Sequence, residues 1–76
     1  MNKQRRKALQ IVFDKLREIE EELETLLEQE EEYRDNMPEN LQTSEKYEKT
    51  EETIYSLEAA IELINNAADE IEAVIE

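Results

Sequence analysis

The chain has 76 residues, 38% apolar and 41% charged, with one Pro, no Gly, Cys or His, and a net charge of −13. One small domain of this size is marginal without a staple or a partner, and the lack of Cys removes disulfides as the staple. Without Gly there are no phosphate-cradling loops, no left-handed glycine caps and few tight hairpin turns; without His or Cys there is no soft metal site.

This composition points to an all-α chain with seam-like packing. No apolar run reaches the length of a membrane span or a signal-peptide core, so a soluble intracellular protein with no membrane contact is expected. The charge is unevenly spread. Residues 1–17 carry six basic side chains and one acidic one, and residues 18–76 carry three basic and 21 acidic ones. Such asymmetry bears on partners rather than on fold.

Residues 2–35 read as one helix. Leu9, Val12, Leu16, Ile19, Leu23, Leu26, Tyr33 and Met37 recur at alternating spacings of three and four, broken only by Glu30. That is an a/d heptad seam, and the intervening Glu, Lys, Arg and Gln are good helix formers. Residues 36–44, NMPENLQTS, form the corner. Pro38 has no amide hydrogen and disfavours helical geometry at Met37, so the helix stops there. Asn36 with Glu39 can cap a single turn, and Thr43 or Ser44 can cap the helix that follows.

Residues 45–75 form the second helix, with a seam of Tyr47, Thr50, Ile54, Leu57, Ile61, Ile64, Ala68, Ile71 and Ile75. A short corner folds the two helices antiparallel. The expected layers are Leu9/Ile71, Val12/Ala68, Leu16/Ile64, Ile19/Ile61, Leu23/Leu57, Leu26/Ile54, Glu30/Thr50 and Tyr33/Tyr47. Both polar exceptions fall in one layer. The same pairing sets Lys3, Arg5, Arg6 and Lys7, badly placed at their own helix N-terminus, beside Asp69, Glu70, Glu72 and Glu76. The fold expected is therefore an antiparallel two-helix hairpin, coiled-coil-like, forming a single domain over 1–76.

One seam leaves apolar residues over. Phe13 and Leu27 flank the seam of the first helix, and Ala60, Ala67 and Val74 flank that of the second on the other side. Ile11 and the back stripe Tyr55, Ala59 and Leu63 also remain. Packing of two hairpins into a four-helix bundle would cover most of them, so a homodimer is expected, with Ile11, Phe13, Leu27, Tyr55 and Leu63 as its apolar contacts or as a dock for a partner.

Catalysis is not expected, because no His, no Cys and no Ser in a nucleophile context accompanies the carboxylates. A di-iron carboxylate site needs Glu-x-x-His pairs, so no metal or cofactor is expected either. Glu30 is the one carboxylate on the expected seam, either a register-setting polar layer or a side chain that reaches solvent at the corner end.

The remaining carboxylates admit two readings. They keep a small bundle soluble, or as an array they imitate nucleic acid. Duplex DNA carries about one charge per 1.7 Å of axis, and residues 18–76 spread over a hairpin roughly 50 Å long carry about one per 2.8 Å. The positions of that array are Glu18, Glu20, Glu21, Glu22, Glu24, Glu28, Glu31, Glu32, Asp35, Glu51, Glu52, Glu58 and Glu62. Its target would be the basic groove of a protein that binds DNA or RNA. Direct binding of nucleic acid by the basic N-terminus is not expected, since the acidic body repels it.

The opening MNKQRRKAL, the corner YRDNMPENLQTSEKYE and the stretch LEAAIELI give the chain a resemblance to short acidic proteins encoded by bacteriophages and integrative elements of Firmicutes. The resemblance implies a place in the bacterial cytoplasm and a role as a small inhibitor of a host defence protein. Anti-CRISPR and anti-restriction proteins are the analogous types, so a CRISPR or restriction nuclease is the kind of partner implied. The competing reading is a structural or adaptor module that docks a partner through an apolar helix face.

Overall fold

The computed structural model describes all 76 residues as two long helices joined by a tight corner, in a rod of 60 × 14 × 13 Å. Helix α1 runs Lys3–Asp35, one 3₁₀ turn runs Glu39–Leu41, and α2 runs Glu45–Ile75. There is no strand. The fold is the all-helical hairpin that the heptad spacing predicts.

Each helix begins on a side-chain cap. Asn2 Oδ1 accepts the Arg5 backbone N–H at 2.7 Å, and Ser44 Oγ accepts that of Tyr47 at 3.3 Å. The Ser44 hydroxyl in turn donates to the Leu41 carbonyl, tying the cap to the corner. Ser44, rather than Thr43, is thus the cap of α2. Pro38, extended at φ −57° and ψ 148°, starts the 3₁₀ turn, which has no side-chain cap, so Asn36 does not serve there. Asn36 instead closes α1, its backbone N–H donating to the Glu32 carbonyl while that of Met37 donates to the Arg34 carbonyl. No residue has a positive φ, so the corner is turned without glycine geometry.

The seam of α2 is as expected: Tyr47, Leu57, Ile61, Ile64, Ile71 and Ile75 are half-buried, and Thr50, Ile54 and Ala68 are buried. The seam of α1 is not. Its covered positions are Leu9, Phe13, Leu16, Glu20, Leu23, Leu27, Glu30 and Arg34. Val12, Ile19, Leu26 and Tyr33, expected in the seam, remain 42–51% exposed. Leu9, Leu16, Leu23 and Glu30 belong to both patterns, so the difference is a rotation of α1 by roughly 50° about its axis. Phe13 and Leu27, expected on the flank, are core residues of the hairpin.

The pairing shifts as well. Arg17 reaches Asn65 at 2.7 Å and Asp69 at 3.0 Å, and Arg34 reaches Glu51 at 3.7 Å. These contacts and the burial pattern set Leu9 against Ile75, Phe13 against Ile71, Leu16 against Ala68, Leu23 against Ile61, Leu27 against Leu57 and Glu30 against Ile54. Relative to the layers expected from sequence, α2 has moved by one helical turn. Glu30 and Thr50 therefore no longer share a layer; Thr50 faces Arg34 and satisfies its own hydroxyl on the Lys46 carbonyl at 2.9 Å. With Leu9 opposite Ile75, residues 3–7 extend past the end of α2. That overhang is why Lys3, Arg5, Arg6 and Lys7 make no ion pair with Asp69, Glu70, Glu72 or Glu76.

Candidate interaction surfaces

With the register known, each long side of the two-helix layer acquires a distinct chemistry. Arg17 with Asn65 and Asp69, and Arg34 with Glu51, identify one side. On it, at the same heptad positions, lie Glu24 and Glu31 of α1 and Glu51, Glu58 and Glu72 of α2, bordered by Glu21, Glu28, Asp35, Glu62 and Asp69. This is an acidic face. The Lys46 ammonium, 5.7 Å from the Tyr33 ring centroid, identifies the other side. There the heptad positions carry Val12, Ile19, Leu26 and Tyr33 from α1 and Thr53, Ala60, Ala67 and Val74 from α2, with no carboxylate among the eight. This is an apolar face.

The acidic array expected from sequence is therefore divided. Glu21, Glu24, Glu28, Glu31, Asp35, Glu51, Glu58 and Glu62 converge on the acidic face. Glu18, Glu32 and Glu52 lie on the backs of the helices, and Glu22 borders the apolar face. Glu20 is in the seam, its side chain only 15% exposed, and its partner is the Arg17 guanidinium at 3.0 Å. Ten of the thirteen are exposed; Glu20, Glu31 and Glu51 are half-buried. Of the expected apolar contacts, Ile11, Tyr55 and Leu63 are exposed at 55%, 65% and 68%. Ile11 lies on the back of α1, Tyr55 borders the acidic face and Leu63 borders the apolar one.

Arg17 is the residue that sequence reading missed. It lies over the Phe13 ring at 5.1 Å and binds Glu20, Asn65 and Asp69 at once. Partial burial lowers its basicity, but the hydrogen bonds of Glu20 and then Asp69 outweigh this and hold the guanidinium above its ordinary range. Arg34 is likewise raised, by its hydrogen bond to Asp35 against partial desolvation, with Glu51 adding charge. Tyr47 is raised by its bond to Glu51, then by burial. The signal in the sequence was a lone cation three residues before a carboxylate on the border of an apolar row.

At the corner end of the apolar face, Tyr33, Met37, Pro38, Leu41 and Lys46, with Gln29, Glu32 and Asn36, line an open groove of about 430 Å³. No three carboxylates are grouped as metal ligands, and no helix is long and apolar enough to cross a membrane. Comparison with protein-family models, curated proteins and solved structures found no match to this chain.

Proposed function

We propose that the chain is a non-enzymatic acidic binding protein whose acidic face occupies the basic, nucleic-acid-binding surface of another protein. The observation that carries this reading is the segregation of carboxylates. Eight of the candidate acids share one face of a stiff rod, whereas a merely solubilising set would be spread evenly over the exterior. A rigid row of charges meets a phosphate-binding groove without an ordering cost, as duplex DNA does. The concrete form is a phage-encoded inhibitor acting in the bacterial cytoplasm on a CRISPR or restriction nuclease. The hairpins would act in pairs, as a four-helix homodimer.

The test is capture of partners from a bacterial host lysate, scored for nucleic-acid enzymes. Any partner found is then challenged with duplex DNA and with salt. Competition by DNA, steep weakening with salt, and loss on charge reversal at Glu21, Glu24 and Glu28 support the reading. A partner that ignores all three refutes it. The exposed Val12, Ile19, Leu26 and Tyr33 favour the second reading, an adaptor that docks a partner through its apolar face.

A further inference from the structure

The apolar face is unaccounted for by the hairpin itself. Only four residues of the chain are buried, and Ile54 is the one large side chain that is fully covered. A core this thin leaves a chain of this size short of stability on its own. The uncovered face is roughly 50 Å long and about 14 Å wide. Two copies meeting on it would bury about 1,400 Å², within the ~1,200–2,000 Å² of a stable specific interface.

Charge along the rod restricts how they could meet. The half of the rod nearer the termini, residues 1–20 with 64–76, carries six basic and seven acidic side chains. The corner half, residues 21–63, carries three basic and fifteen acidic ones. Copies aligned with both corners at one end would stack the two strongly negative halves. Copies aligned head to tail set each negative half against a nearly neutral one.

We infer that this face is the dimer interface, and that it takes a second copy of the chain in the head-to-tail orientation, α1 on α1 and α2 on α2. The inference rests on the pairing of hairpins proposed above and names its surface and direction. The apolar positions are self-complementary in that orientation. Centring Ile19 on Leu26 of the second copy brings Val12 onto the Tyr33 of that copy and Ala60 onto its Leu63. Leu63 then lies beside the Leu63 of its mate at the two-fold axis, which covers the most exposed large apolar side chain of the hairpin. The basic overhang, without an ion pair in the lone hairpin, reaches the second copy's corner, where Arg6 meets its Glu39. The two acidic faces point outward on opposite sides of the bundle. With neighbouring helices about 10 Å apart, they are separated by more than the ~8 Å screening length at physiological salt.

The experiment uses the full chain, which has no cysteine of its own. Sedimentation equilibrium is expected to give twice the 9.1 kDa chain mass. Leu63→Cys is expected to form a covalent dimer on mild oxidation, with unchanged helical circular dichroism. Leu26→Glu is expected to raise the dissociation constant at least 100-fold, and Tyr55→Glu, on the acidic side, to leave it within threefold. Leu63→Cys keeps the test decisive if Leu26→Glu fails to fold. A monomer at all concentrations overturns both the pairing and this interface while leaving the acidic-face reading standing. A dimer whose Leu63→Cys links to Glu22→Cys of a mixed partner instead of to itself overturns the head-to-tail direction. A dimer broken by Tyr55→Glu and not by Leu26→Glu overturns the face.

Discussion

Replacing Ile54 by Ala tests the register of the hairpin most directly. Ile54 is 1% exposed and lies in the seam of α2, at the level of Glu30 in the register set by the Arg17 and Arg34 contacts. The substitution removes three carbon atoms. At about 0.8 kcal/mol per buried methylene the transfer loss is about 2.4 kcal/mol, and the residual cavity brings the total to about 3–4 kcal/mol. A chain of this size has roughly 4–11 kcal/mol of stability at the usual ~0.05–0.15 kcal/mol per residue. About a quarter or more of the stability would therefore be lost, a fall in Tm of more than about 10 °C. Helical circular dichroism during urea unfolding at fixed protein concentration measures it, because the proposed dimer would make the apparent stability concentration-dependent. Ile11→Ala, at a 55% exposed position on the back of α1, is the control and should stay within about 0.5 kcal/mol of the parent. An Ile54→Ala loss below about 1 kcal/mol would refute the packing described for the corner half of the rod.

Ser44→Ala removes the cap of α2 and should cost about 1 kcal/mol in urea unfolding, with Ser44→Asp restoring most of it. Arg17→Met should lower Tm by leaving Glu20 without its partner in the seam, and the double variant Arg17→Met with Glu20→Leu should recover the loss; no recovery would show that Glu20 does not depend on Arg17. Tyr47 should titrate above the ordinary phenol range, because its bond to Glu51 and its partial burial favour the neutral form. Since its folded pKa is raised, this contribution to stability is fully present below pH ~10 and is lost as pH rises through the folded value. Ultraviolet titration should therefore show a late phenol that Tyr47→Phe removes.

The helix limits, the corner and the whole seam of α2 could be read from sequence because each rests on an unambiguous local signal. Pro38 stops α1, Thr43 or Ser44 offers the cap of α2, and α2 has one row of nine seam positions with no rival. In α1 the apolar stripe is too wide for one neighbour. Leu9, Leu16 and Leu23 form its midline, with Val12, Ile19, Leu26 and Tyr33 on one side and Phe13 and Leu27 on the other. Hydropathy alone selects the first row, since the second includes Glu20 and Arg34. The hairpin packs on the second because its two charged members find partners at the border, Glu20 on Arg17 and Arg34 on Glu51. Counting apolar residues registers no pairing between charges, whether local, as for Glu20 and Arg17, or across the corner, as for Arg34 and Glu51. The one-turn shift in pairing, and with it the unpaired basic overhang, follows from that same choice.

The rotation of α1 also explains how one thin rod can carry two opposed surfaces. Had α1 packed through Val12, Ile19 and Leu26, those side chains would lie between the helices, and neither side of the layer would be apolar along its length. By packing through Phe13 and Leu27 the hairpin leaves that row on one side and brings eight of the thirteen candidate carboxylates to the other. The two faces must then respond oppositely to salt. In the proposed dimer, copies of a chain with net charge −13 repel, so screening would tighten their association, whereas the basic partner proposed for the acidic face would be released. A single titration from low to moderate ionic strength, following mass and partner binding together, reads both. Parallel changes in the two would mean that the faces do not act separately.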